Sequence, residues 1–267
     1  MPRCARTRVR AVPLLCVFVV LLLFGLGCSL LSTQRQTRLS TDEGQLITGR
    51  LASDRAKVRT LRSFARLMLV SEGRAYRASV AVILKRPNRF RIEFLGPFKH
   101  PRHLVAFDGK MFSEIGKNNE IRLLDANASG STLSFLGLTP QWLVSAILGL
   151  PPISPDSVVV DGAFREAKNK VRLELSDGRA DMTLWVRQRS GLQCVEKVVF
   201  NPGSGEEPVV EVLYSDFKVM AGQDSVHCHL PRIVTIMVPE RRESLRIILS
   251  EPELNAHLDP AVFTIAP

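Results

Sequence analysis

The sequence lacks the short motifs that mark common covalent chemistry. It has no Gly-x-Ser-x-Gly turn to present a nucleophile, and no Gly-x-x-x-x-Gly-Lys run to cradle phosphate. Acidic residues are scattered along solvent-facing strand positions, so no carboxylate pair stands out for acid–base work. The expectation is a protein that is not an enzyme and uses no cofactor. No Lys/Arg-rich run is interleaved with aromatics, which argues against nucleic-acid binding. No long helical pattern separates the strands, and a parallel sheet needs such crossovers. Metal ligands are also sparse. In His227-Cys228-His229 a strand would put the two His on one face and Cys228 on the other, which is too few for a structural zinc site. His100 and His103 flank a Pro-Arg pair and read as a solvated loop.

Cysteine is scarce, five in 267 residues, and position gives them different meanings. The first ten residues carry four Arg and no acid, and a charge-free apolar run follows. That order, closed by small residues, reads as a secretory signal over residues 1–27. Cys4 and Cys16 lie inside it. Cys28 follows Gly27 and suits a lipoprotein signal, in which the thiol is acylated and becomes the new N-terminus. The motif is imperfect, because Gly25 and Leu26 stand exchanged relative to the usual order. Two alternatives stay open: plain secretion, or an uncleaved anchor, since Pro13–Leu31 is 19 residues without a charge. All three put the domain outside the cytoplasm. Cleavage before Cys28 would leave 240 residues and take the net charge from +10 to +6. That mild excess suits anionic headgroups better than nucleic acid. Cys194 and Cys228 remain in the domain, where they either pair or stay as separate buried thiols.

After a tether over 28–39, the period of the apolar residues changes twice. Ser40 and Glu43 form a capping box. Ile47, Leu51, Val58 and Leu61 follow at helical spacing, which predicts a helix ending near Ser63. The period then becomes two: Leu67 and Leu69; Ala78, Val80, Val82 and Leu84; Phe90, Ile92 and Phe94. Strands also read at 104–107, 110–115 and 120–124, with Asp108-Gly109 as a hairpin turn. Thr139-Pro140 then starts a second helix that is apolar on more than one face and ends near Gly149. Alternation returns at 171–175, 182–186, 192–200, 209–217, 232–238 and 244–250. The fold class is mainly β (α+β). About eleven antiparallel strands make one sheet, and a sheet that large must curl. The expectation is a strongly curved half-barrel wrapping the N-terminal helix and a central helical lid, in one domain over 40–267.

Four stretches resemble the LolA/LolB family: VRTLRSFARLMLV (58–70), RFRIEFLGPFKHPRHLVAFDG (89–109), LVSAILGLPP (143–152) and LDPAVFTIAP at the end. The details are more similar to LolB, the outer-membrane lipoprotein receptor, in a divergent form. The resemblance implies a monomeric receptor, lipid-anchored to the inner leaflet of the outer membrane and facing the periplasm. Its partners would be acylated lipoprotein cargo and a periplasmic LolA-like carrier. It also implies that acyl chains sit between the concave sheet and the helices, and that Phe98, after Pro97 in a protruding loop, enters the lipid. Cavity candidates are Leu67, Leu69, Val80, Val82, Phe90, Ile92, Phe94, Leu143, Ile147, Met182 and Leu184, although core and cavity liners look alike in sequence. The alternatives are an envelope sensor or assembly protein using the same fold without a transport role, and a β domain with a filled core.

Overall fold

The computed structural model describes residues 37–96, 100–116, 120–125, 138–149, 157–178, 180–189, 192–202, 208–221 and 227–265. The signal segment and Cys28 lie outside them, as does Phe98.

Ser40 starts the first helix as expected. Its hydroxyl accepts from the Glu43 amide at 3.2 Å, and its own amide donates to Glu43 Oε2 at 3.2 Å. Helix α1 (Thr41–Lys57) buries Gly44, Ile47, Thr48 and Leu51. It stops before Ser63, because Val58 leaves helical geometry and Leu61 already belongs to a strand. Leu61 is instead in step with Ser63 and Ala65 on the inward face of the strand, and the sheet claims it.

Strands follow in chain order: β1 (Thr37–Arg38), β2 (Thr60–Ser71), β3 (Arg74–Lys85), β4 (Arg89–Leu95), β5 (Pro101–Phe107), β6 (Met111–Ile115) and β7 (Ile121–Asp125). After helix α2 (Pro140–Ile147) come β8 (Val159–Ala167), β9 (Lys170–Ser176), β10 (Asp181–Arg189), β11 (Leu192–Asn201), β12 (Val210–Ala221), β13 (His227–Val238) and β14 (Glu243–Leu254). All join one antiparallel sheet in the order β1-β8-β9-β10-β11-β12-β13-β14-β2-β3-β4-β5-β6-β7. The sheet is open, with β1 and β7 at its edges. Fourteen strands among the described residues exceed the eleven expected. The additions include β8, where Gly162 and two register shifts break the alternation, and β1, a two-residue strand inside the expected tether.

Alternation places one face of each strand inside. Val171, Leu173 and Leu175 on β9 are buried, as are Met182, Leu184 and Val186 on β10, and Val80, Val82 and Leu84 on β3. Register shifts in β4, β8 and the β10–β11 pair bend the ribbon, as bulges do. Asp108 shapes the β5–β6 hairpin, its carboxylate accepting from the amides of Lys110 and Met111 at 2.8 Å.

The two helices occupy different parts of the concave face. Helix α1 packs against β8 at Gly44, where an added Cβ would stand 2.8 Å from Val160 Cγ1. Helix α2 lies against β4 and β13. Thr139 caps it, its hydroxyl accepting from the Trp142 amide at 3.3 Å. It ends at Gly149, whose φ of +68° suits glycine; a Cβ there would also meet Pro231 Cγ at 2.5 Å. Residues 131–137 of the expected lid, which spans 131–149, lie outside the described residues.

Candidate functional site: an apolar slot under helix α2

Cross-strand pairing turns the inner face of β14, β2, β3, β4 and β5 into successive rows. The innermost reads Leu61–Leu84–Phe90–Phe107–Phe112. All five are buried, and the Phe107 and Phe112 rings stand 4.5 Å apart. The next rows are Ser63–Val82–Ile92–Val105 and Leu249–Ala65–Val80–Phe94. Beyond them come Ile247–Leu67–Ala78 and Leu245–Leu69–Tyr76. Burial falls along this series: Phe90 is 0% exposed and Tyr76 52%. The rows therefore run from a sealed floor to an open mouth.

Between these rows and α2 lies a hollow of about 640 Å³, its open mouth included. Its walls are Leu67, Leu69, Val80, Val82, Ile92, Phe94, Val105, Leu245 and Ile247 from the sheet, with Leu143 and Ile147 from α2. Every wall residue is apolar and none can ionise. Two small side chains stand in these rows. Ala65 stands between Leu249 and Val80, and Ala78 stands opposite Leu67, in rows otherwise built of larger groups. A surface of this kind cannot polarise a bond or move a proton. It can remove hydrocarbon from water at roughly 25 cal/mol per Å².

Eight of the predicted cavity residues meet here: Leu67, Leu69, Val80, Val82, Ile92, Phe94, Leu143 and Ile147. Phe90 lies below them in the floor, stacked on Phe107. Met182 and Leu184 do not reach the slot; they are buried on β10 in the other half of the sheet. Period two gave their side of the strand correctly but not their neighbours. Val105, Leu245 and Ile247 complete the walls. The alternation of β14 was visible in sequence, but its pairing with β2 across some 180 residues was not.

The other candidates fall elsewhere. Cys194 is buried and its Sγ lies 3.2 Å from His229 Nδ1. The side chain of Cys228 lies outside the described residues, and with it the question of pairing. No cluster of three or more potential metal ligands occurs among the described residues. His103 is on β5 rather than in a loop; it meets the Phe94 ring and pairs with Glu114 at 3.2 Å. A second hollow, about 350 Å³ with its opening, lies between Asp54 and Val58 on one side and Gln193 and His229 on the other. Gln193 Nε2 and Oε1 and His229 Nε2 are buried there without hydrogen-bond partners, a setting that suits ordered water. Beyond the floor of the slot, burial and the neighbouring Arg55 lower the Arg86 guanidinium to about 9. Its Nε and Nη2 have no hydrogen-bond partner.

No family model matches the sequence, and no curated protein matches it. Solved structures do share its fold. A DUF1329 family protein from Desulfovibrio piger superposes with a TM-score of 0.58 at 11% identity, over 84% of this chain and 97% of that one. A LolA superfamily protein from Nitrosomonas europaea gives 0.55 at 12%, over 85% and 99%. A putative outer membrane lipoprotein-sorting protein domain from Vibrio parahaemolyticus gives 0.54 at 10%, over 84% and 97%. At these identities the likeness is one of fold: the chain has a LolA/LolB-like architecture.

Proposed function

We propose that this chain is an exported, lipid-anchored protein that holds the acyl chains of lipoproteins in the slot under α2 and helps insert them into the outer membrane. One observation carries the reading: a wholly apolar hollow of about 640 Å³, sealed at one end and open at the other. Open apolar walls leave their surface in contact with water, at a cost of about 25 cal/mol per Å² of apolar area. A hydrocarbon guest would recover that loss. In this reading Cys28 bears the anchor, the domain faces the periplasm as a monomer, and a LolA-like carrier delivers the cargo. Phe98, in its loop beside Lys99 and His100, enters the lipid boundary. The protein works by binding and release, without covalent chemistry.

The test is binding of a fluorescent fatty-acyl probe to the purified protein, with mass spectrometry of any lipid that co-purifies. Saturable binding, abolished by Val80→Asp in the slot and unchanged by a surface control, is expected. A folded protein that takes up no probe would overturn the reading. Depletion in cells separates transport from sensing: lipoproteins lost from the outer membrane support the receptor, and unchanged sorting supports a sensor or assembly role.

A further inference from the structure

The geometry points to a slot that admits one acyl chain at a time, tail first, and measures it at about 16 carbons. This inference rests on the acyl-binding reading above and adds stoichiometry and length to it.

Volume sets the number of chains. The hollow measures about 640 Å³ even with its mouth counted, so that figure is a ceiling. A methylene group fills about 30 Å³, much as a water molecule does, so a 16-carbon chain needs about 480 Å³ and two such chains about 960 Å³. Two such chains exceed that ceiling. Leu143 and Ile147 of α2 line the same hollow as Leu67, Val80 and Ile92 of the sheet.

Depth sets the length. From the Leu69 row at the mouth to the Ser63 row is six residues along β2. At about 3.3 Å per residue that is about 20 Å. An extended alkyl chain advances about 1.25 Å per carbon, the projection of a single bond of roughly 1.5 Å, so the same 20 Å holds about 16 carbons. The next row is the floor: Leu61, Leu84, Phe90, Phe107 and Phe112 are buried, and none of them lines the hollow. The chain stops there, with its head at the mouth beside Tyr76. A ligand with several chains would therefore leave all but one outside, in contact with membrane or partner.

Native mass spectrometry of the full chain with saturated fatty acids of 10 to 22 carbons tests this. One bound chain per protein is expected. Kd should fall about three- to fourfold per added methylene up to about 16 carbons and then level off. Ile92→Ala, beside the floor, should move the plateau about two carbons longer, and Ala78→Leu, nearer the mouth, should weaken every length at least tenfold. Two chains per protein, or affinity still rising through 22 carbons, would overturn the single-chain ruler while leaving acyl binding intact. Absence of binding at every length would instead remove the acyl-binding reading itself. Should Ile92→Ala unfold, Val105→Ala probes the same row, and an unmoved plateau in the folded variant counts against the ruler.

Discussion

The strands from β8 to β12 and those from β14 through β2 to β5 alternate apolar and polar residues in the same way, yet the wholly apolar slot is walled by the second group, while the hollow beside Gln193 in the first carries polar groups. The difference lies in what covers them. Beside the first group runs α1, 17 residues long, drawn onto β8 by a glycine contact. Over the second lies α2, eight residues long, facing rows that contain Ala65 and Ala78. A strand pattern says which face is inside; the covering helix and a few small side chains say whether the inside is full.

The sharpest way to break that comparison is to cut one leucine from each region. Leu173→Ala, at a fully buried position of β9, should lower unfolding free energy by about 2–5 kcal/mol in urea titration and leave acyl binding unchanged. Leu67→Ala, at a half-buried slot position, should lower it by no more than about 1 kcal/mol while weakening acyl affinity severalfold. Equal stability losses would mean that the slot wall is ordinary core. Next in size is Gly44→Ala. Helix propensity would favour it by about 1 kcal/mol, but the new Cβ would press on Val160 and Ala163, and overpacking should give a net loss of about 1 kcal/mol, read from the urea midpoint.

The caps sharpen the contrast further. Ser40→Ala and Thr139→Ala each remove an N-cap and should each lower stability by about 1 kcal/mol. Only Thr139→Ala, on the helix over the slot, should also change acyl dissociation in stopped-flow measurements. The smallest effect is at Asp108, in the hairpin beside the floor. Burial pushes its carboxyl up, but the amides of Met111 and Lys110 and the charge of Arg89 outweigh that and hold it below the ordinary value. A lowered folded value means that its stabilising effect is complete above the unfolded carboxylate pKa of about 3.9 and fades as pH falls through the folded value. Asp108→Asn should therefore make acid unfolding slightly less steep below about pH 4, as followed by circular dichroism.

Much of this was legible beforehand. Ser40 with Glu43 marked the start of α1, and Thr139-Pro140 the start of α2. Leu67, Val80 and Ile92 announced their strands and their inward faces. The end of α1 was misplaced because Leu61 continues the helical spacing of Val58 and also starts the alternation with Ser63 and Ala65. Strand β8 was missed because Gly162 and its neighbours break the alternation. Met182 and Leu184 were assigned to the cavity because inward apolar residues look identical wherever the sheet carries them.

From the sequence alone came the antiparallel class, the inward face of most strands and the two helix starts, because each depends on residues within a few positions of one another. Tertiary structure decided that β14 lies beside β2, that α1 lies against β8 and that α2 lies over the walls of the slot. Those are matters of distance between segments far apart in the chain, where a void is a property of several walls together and of no single one.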